Sequence, residues 1–598
     1  MRRNLLVLTA ILCMTVTSAT ARKLTFLLSD PAFGIRPGSG QTDLASRLQN
    51  ALESIRKQAG TNDEVIIKLE RGTYEFHPAD AAEREFYVSN HDQNQPKRIG
   101  ICLEHWNNLT LDGNGSDFVF HGRMLPLALT RSANCVLKNF SIDFAQPHIA
   151  QVEIVENDAD KGITFRVAPW VNYRTGENGR FETFGEGWSM QPGSGIAFER
   201  KSKHIVYGTG DISIDTRGLQ ATGAARTLIA PNWKDGRLKP GTVVAMRGWG
   251  RPAPAIFLDH DSNTTLRDVR VHYAEGMGLL AQRCTDISLK GFGVCLRGKE
   301  DPRYFTTQAD ATHFSQCRGK IVSTHGLYEG MMDDAINIHG VYLKVRERMD
   351  DRTLRCGYEH SQAWGFEWGD AGDSVCFVRS KTMEETAGRN AIVSIRPAGR
   401  DEVKGTREFI IRFAHDLPAE VNAAEGYGIE NLTWTPEILF SHNTVRNNRA
   451  RGALFSSPRR TVCERNVFDH TSGTAILLCG DCNGWYESGT CRDLVIRKNK
   501  FINALTSFYQ FTNAVISIYP EIPDLKQQKT YFHGGKPGAI VIEDNRFDTF
   551  GTPLLYAKSV DGLVFRNNKV TKNTEYAPVL TDKKPIWLES VRNTDIRE

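Results

Sequence analysis

In the last third of the chain, polar and apolar positions keep one grammar: an asparagine stands just before an apolar residue or a hydrophobic pair. It reads Asn443-Thr444-Val445, Asn466-Val467-Phe468, Asn499-Lys500-Phe501, Asn545-Arg546-Phe547 and Asn568-Lys569-Val570. The steps between these asparagines are 23, 33, 46 and 23 residues. We read 46 as two turns of 23, and 33 as one turn with a ten-residue excursion around Cys482 to Cys491. A fixed period with Asn at the corner marks a parallel β-helix, because stacked Asn side chains hydrogen-bond along the turn. Upstream, Asn108-Leu109-Thr110-Leu111 and Asn134-Cys135-Val136-Leu137 repeat at 26 residues, and the runs centred on Leu266 and Leu289 at 23. Short alternating strands between Gly, Asn and Asp corners fit coils rather than helices.

At the N-terminal end, Thr42-Asp43 precedes Leu44, Leu48, Ala51, Leu52 and Ile55, a helical spacing with an N-cap signal. A helix there would cover the open apolar end of the solenoid. Two stretches break the period, with Gly, Trp and charged residues among short strand-like runs such as Val152–Val155 and Phe409–Phe413. The expected fold class is all-β: a right-handed parallel β-helix with two inserted small β-barrel-like domains. The partition is a leader over 1–21, a cap and first coils over 22–147, and an insertion over 148–250. Central coils follow over 251–341, a second insertion over 342–436 and the last coils over 437–598.

Composition narrows the function. Apolar residues make up 40%, charged 24% and aromatic 9%, with a formal charge of +4, two units of which come from Arg2 and Arg3. So weak a bias gives no electrostatic case for nucleic acid or an acidic membrane as partner. Met1-Arg2-Arg3, the apolar run Leu5–Met14 and Ala19-Thr20-Ala21 read as a secretory signal peptide cut after Ala21. The apolar run is too short to span a bilayer. Export to the periplasm or outside the cell is therefore expected. Of twelve cysteines, eleven remain after Cys13 leaves with the leader. Cys479-Gly480-Asp481-Cys482 lacks the second CxxC or the histidines of a zinc site, so buried thiols with a local disulfide among Cys479, Cys482 and Cys491 are expected.

The chemistry sits in Gln308–Phe314 and Met332–Gly340. Asp310 and Asp334 stand 24 residues apart, one coil, and Asp333 adjoins Asp334. With strands about 4.8 Å apart, coil stacking gathers all three carboxylates on one patch. A corner Asp is common for local reasons alone. Two adjacent like charges before an apolar strand, however, cost stability unless one is protonated or used. That is the pattern of separated pKa values on which acid/base work rests. Alternation poses a difficulty, since Asp334 shares parity with inward Ile336 and Ile338. A corner at Gly330-Met331-Met332 would free both carboxylates. His313, His339, Arg283 and Trp485 are candidates for contacting a sugar, each with a plainer reading as a packed corner or loop residue. Trp364 and Trp368 read as the core of the second insertion.

Asp310 and the Asp333-Asp334 pair resemble the NTD and DD motifs of the polygalacturonases, inverting β-helix hydrolases, although His339-Gly340 is only a fragment of their next motif. A fuller resemblance is to the inverting α-1,3-galactosidases, glycoside hydrolase family 110. Tyr87–Gln93, Gln308–Phe314 and Met331–Gly340 are similar to that family in this order, and the likeness spans both insertions. It implies hydrolysis of terminal α-1,3-linked galactose, as in blood-group B and related glycans, with a carbohydrate as partner and no cofactor or metal. It further implies Asp310 as general acid and Asp333 with Asp334 on the base side. Inversion calls for carboxyl groups about 6.5–9.5 Å apart, against about 5 Å for retention. Three alternatives stay open: a polygalacturonase-like hydrolase, a polysaccharide lyase, which needs a strong base, and a non-catalytic glycan-binding solenoid.

Overall fold

The computed structural model describes residues 21–597, apart from the single positions 39, 387 and 579. The leader expected over residues 1–21 falls, save for Ala21, outside the described residues. The chain winds into a parallel β-helix whose coils contribute strands to three parallel stacks, two in a 21-stranded sheet and one in a 14-stranded sheet. Among the described residues there is one α-helix, Leu44–Gln58. It buries Leu44, Leu48, Ala51, Leu52 and Ile55 against the first coils and closes the apolar core, which would otherwise meet water.

The asparagine pattern becomes a continuous ladder. Asn466 Oδ1 accepts the Asn443 backbone N–H at 2.9 Å and the Asn443 amide at 3.1 Å. The same pair of bonds links Asn466 to Asn499, Asn499 to Asn545, and Asn545 to Asn568. Two residues on, Phe468, Phe501 and Phe547 stack ring on ring at 5.3 and 4.9 Å. A buried amide is tolerable because its donors and acceptor find partners in the coils before and after it.

One expectation about coil length is corrected. Lys500–Ile502 pairs directly with Arg546–Thr549, and Leu494–Arg497 with Ile540–Glu543. The 46-residue step is therefore one coil, not two. Its extra residues form loops on either side of Ile516–Ile518, which joins the third stack. The ladder reports only that corners stack; it is blind to the length of chain looped out between them.

The insertions interrupt the chain but not the stack. Leu125–Thr130 pairs with Ile256–Asp259 and Val136–Phe144 with Ser262–Val271, as though the first insertion were absent. Arg318–Thr324 pairs likewise with Glu437–Ser441, and Ile336–Val341 with Ala453–Phe455. The first insertion combines a seven-stranded and a three-stranded antiparallel sheet, with its own core around Phe165 and Trp233. In the second, Ser374–Arg379 pairs with both Asn390–Asp401 and Tyr427–Asn431, which closes a small barrel around Trp368. All eleven described cysteines are buried free thiols. The disulfide expected among Cys479, Cys482 and Cys491 is absent: the Cys491 thiol turns inward onto the Phe455 carbonyl at 3.3 Å.

Candidate active site

Stack register builds the site. Thr312 lies opposite Ile336, and Ile336 opposite Ala453, so Asp310, Asp334 and Arg451 form one column on successive coils. Backbone bonds hold that column: Ala311 N–H donates to Asp334 O at 2.8 Å and Ala335 N–H to Gly452 O at 3.0 Å. The parity difficulty is resolved by a turn ahead of the strand Ile336–Val341. Gly330 takes φ +68°, a left-handed conformation that glycine adopts without a Cβ clash. Ile336 and Ile338 enter the core while Asp333, Asp334 and Asn337 line a pocket.

That pocket, of about 520 Å³, is lined by the three aspartates, His313, Asn90, Arg251, Arg451, Trp485 and Glu487, with Met277, Leu454, Leu477 and Phe511 on its apolar side. The carboxylates lie at the floor of a pocket, not on an open patch: Asp310, Asp333 and Asp334 are 3%, 9% and 1% exposed. A wider hollow of about 1170 Å³ shares Arg251, Asp333, Arg451 and Trp485 with it and adds Trp249, His360, Arg449 and Tyr509. Both insertions thus contribute walls: Trp249 at the end of the first, with Arg251 just after it, and His360 in the second. A pocket with polar groups around an apolar face, sharing a wall with a broader hollow, suits a sugar bonded to something larger.

The three carboxylates meet unlike surroundings. Asp333 is held by Arg449 at 3.0 Å and Arg251 at 3.1 Å. Asp334 takes Arg451 in a two-point grip, Nε at 2.8 Å and Nη2 at 2.7 Å, and accepts the Arg451 backbone N–H at 3.0 Å. Asp310 touches no cationic side chain; its Oδ2 faces His313 Nδ1 at 2.7 Å. Burial would raise Asp333, but Arg449, Arg251 and Arg451 outweigh it and keep its carboxyl below the usual range. Burial and then the Asp333 charge push Asp310 up to about 8. Burial also drives Asp334 up to about 8, against the pull of Arg451. Where several close carboxylates share protons, the one without a cation keeps a proton most readily. That one is Asp310.

Of the candidates read from sequence, Asp310, Asp333, Asp334, His313 and Trp485 line the pocket, and His339 lies one hydrogen bond behind it, Nε2 at 2.8 Å from His313 Nε2. Arg283 does not belong. It is buried against Trp434 at 3.8 Å and paired with Asp370 at 2.6 Å, a strut between coil and second insertion. Its position on the preceding coil was right, but its side chain points to the far corner. Sequence reading missed Arg449 and Arg451. The only signal was their stacking beneath Asp333-Asp334, 116 and 117 residues away in the chain across the second insertion. It also missed Arg247, whose guanidinium donates to the Gln308 and Met332 carbonyls at 3.0 and 3.2 Å and so pins the two acidic corners together.

Closest oxygens within the trio lie within 4.8 Å of one another, so spacing by itself assigns no stereochemistry. Arg251, Arg449 and Arg451 already balance Asp333 and Asp334 and oppose a further cation. His313, His339 and Glu487 also cluster. Their 2.8 Å Nε2–Nε2 spacing is a hydrogen bond, because two nitrogens about 2.0–2.1 Å from one tetrahedral zinc stand about 3.3 Å apart. The groups at His77/His121 and His204/His470 stack their rings nearly parallel, so the in-plane lone pairs do not converge.

Known proteins match both the whole chain and its insertions. Residues 150–244 match the family described as GLAA-B beta-barrel domain I, and residues 353–425 match GLAA-B beta-barrel domain II. A protein of Phocaeicola vulgatus named alpha-1,3-galactosidase B is 60% identical over 592 residues, 99% of each chain. One of Bacteroides fragilis with the same name is 60% identical over 594 residues, again 99% of each. Among solved structures, the A-module of the mannuronan C-5 epimerase AlgE6 of Azotobacter vinelandii overlays at a TM-score of 0.39 and 10% identity, covering 96% of this chain and 100% of that one. With relatives this similar along its whole length, the chain belongs to the alpha-1,3-galactosidase B family of glycoside hydrolases.

Proposed function

We propose that this protein is an exported, exo-acting α-1,3-galactosidase that removes terminal α-1,3-linked galactose from blood-group B-type or linear glycans, with inversion at the anomeric carbon. The observation that carries the reading is the column of Asp310 over Asp334, with Asp333 beside them, at the floor of a pocket with polar and apolar walls. In this mechanism the galactose ring occupies the inner pocket, its apolar face against Leu454, Leu477 and Phe511, and the leaving sugar occupies the wider hollow. Asp310, the carboxyl without a cation, gives its proton to the bridging oxygen. Asp333, held ionised by Arg449 and Arg251, takes a proton from the water that attacks the anomeric carbon. Asp334 anchors Arg451, and that guanidinium keeps the base side charged. Arg451 orients Asp334 by two-point geometry, while Arg449 and Arg251 each hold Asp333 through one nitrogen. Inversion follows from the family resemblance, and export from the N-terminal leader.

Proton NMR during digestion of α-1,3-galactobiose and of a branched blood-group B trisaccharide tests the reading. Free galactose is expected, with its β-anomer appearing first. Absence of galactose release from either substrate, or α-galactose as the first product, would overturn it. Secretion is checked by the N-terminal residue of the mature protein, expected at Arg22.

A further inference from the structure

Behind Asp310 runs a chain of buried contacts that the reaction as written leaves unused. Asp310 Oδ2 faces His313 Nδ1 at 2.7 Å, and His313 Nε2 faces His339 Nε2 at 2.8 Å. His339 Nδ1 meets the Gly340 carbonyl at 2.6 Å. A carbonyl oxygen only accepts, so His339 Nδ1 carries hydrogen. With that nitrogen settled, each of the two remaining contacts needs one proton, or two lone pairs face each other inside hydrogen-bond distance. The protons required are one more than ionised Asp310 and two neutral imidazoles possess.

Three arrangements satisfy the count. In one, Asp310 is a carboxylic acid donating to His313 Nδ1, and His313 Nε2–H donates to His339 Nε2. In the other two, Asp310 is a carboxylate and either His313 or His339 is an imidazolium. Burial pushes His313 down to about 4 and lowers His339 as well, which disfavours the imidazolium. The charged or titratable groups facing the trio are Asp333, Asp334, Glu487, Arg251, Arg451 and His91. Glu487, 3.4 Å from His339 Nε2, is the carboxylate closest to the imidazole end.

We infer that His313 and His339 are positioning residues: the Gly340 carbonyl fixes the His339 tautomer, His339 fixes that of His313, and His313 thereby presents a lone pair that keeps Asp310 loaded with its proton. This rests on the galactosidase reading above. During turnover the Asp310 O–H bond breaks as an O–H bond forms on the bridging oxygen, leaving a carboxylate. Water in the pocket then returns a proton to Asp310, matching the one Asp333 took from the nucleophile. A lone pair facing the acid favours its neutral form and raises its pKa. The device therefore extends acid catalysis toward alkaline pH.

The test compares wild type, His339→Leu and His339→Gln on two substrates. α-1,3-Galactobiose needs a proton on its leaving group; α-galactosyl fluoride does not. Leucine at 339 removes the acceptor for His313 Nε2–H, freeing His313 to turn its N–H toward Asp310 and favour the carboxylate. The alkaline limb of kcat/KM on galactobiose is expected to move down by at least one pH unit, with a loss of tenfold or more at pH 8 that recovers at pH 5. Fluoride hydrolysis stays within threefold throughout, which also reports an intact fold. Glutamine, which offers an amide oxygen to His313, restores the limb. An unmoved limb in His339→Leu, or equal losses on both substrates at every pH, overturns the inference while leaving the galactosidase reading intact. A wild-type enzyme that releases no galactose from galactobiose or from the blood-group B trisaccharide overturns both.

Discussion

Replacing Asp310 by Asn should inactivate the enzyme and, at neutral pH, stabilise it. Asn keeps the size of the side chain and its hydrogen-bonding contact with His313, but cannot ionise. Loss of a general acid costs about 10²–10⁴-fold in rate. The stability change follows from proton linkage. The Asp310 carboxyl is raised from 3.8 to about 8 in the fold. Its contribution is thus fully present below the unfolded value, declines as pH rises and is lost through the folded value. At pH 7 the folded group must hold a proton that the unfolded chain has released roughly three units lower, at about 1.36 kcal/mol per unit, or about 4 kcal/mol. Asn removes this penalty. Melting temperatures measured at one scan rate between pH 4 and pH 9 should coincide for the two proteins at pH 4. The variant should melt a few degrees higher by pH 8. An Asn variant less stable than wild type by a constant margin across that range would refute the argument, because linkage demands a gap that grows with pH.

Three further outcomes follow from the same geometry. Asn499→Ala removes bonds to Cys463 O, Asn545 and Asn466 in the middle of the ladder, and at about 1–3 kcal/mol for each buried group left without a partner it should lower the melting temperature clearly. An unchanged melting curve would mean the ladder is decorative. Arg283→Met should lower stability yet leave KM for galactobiose within twofold, since that guanidinium braces Trp434 and Asp370 rather than the pocket; a tenfold rise in KM would restore it as a substrate ligand. Dialysis against a strong chelator should leave kcat unchanged, because the carboxylates are matched by Arg251, Arg449 and Arg451, and loss of activity restored by a divalent cation would contradict that pairing.

Several errors of sequence reading share one origin. The 46-residue step counted as two coils because spacing reports periodicity only where chain is not looped out. Loops of that coil instead bring Tyr509 and Phe511 to the pocket and its neighbouring hollow. Arg283 was assigned from its place on the coil before Asp310, but which corner a side chain points to depends on turn geometry. The disulfide was expected from proximity in sequence, whereas Cys479, Cys482 and Cys491 sit buried with separate neighbours.

Local sequence determined the coil, the capping helix, the interruptions and the meeting of Asp310 with Asp334. Each follows from residues about one turn apart, and stacking energy between identical corners repeats at that distance. Only the tertiary structure decided the rest: which cations stand beside each carboxylate, which aspartate has none, and which walls enclose the sugar. Those choices join residues 82 to 117 positions apart, Arg449 and Arg451 across an insertion of no fixed length. The pKa separation on which catalysis depends is a property of burial and neighbouring charge, and neither exists until the coils have stacked.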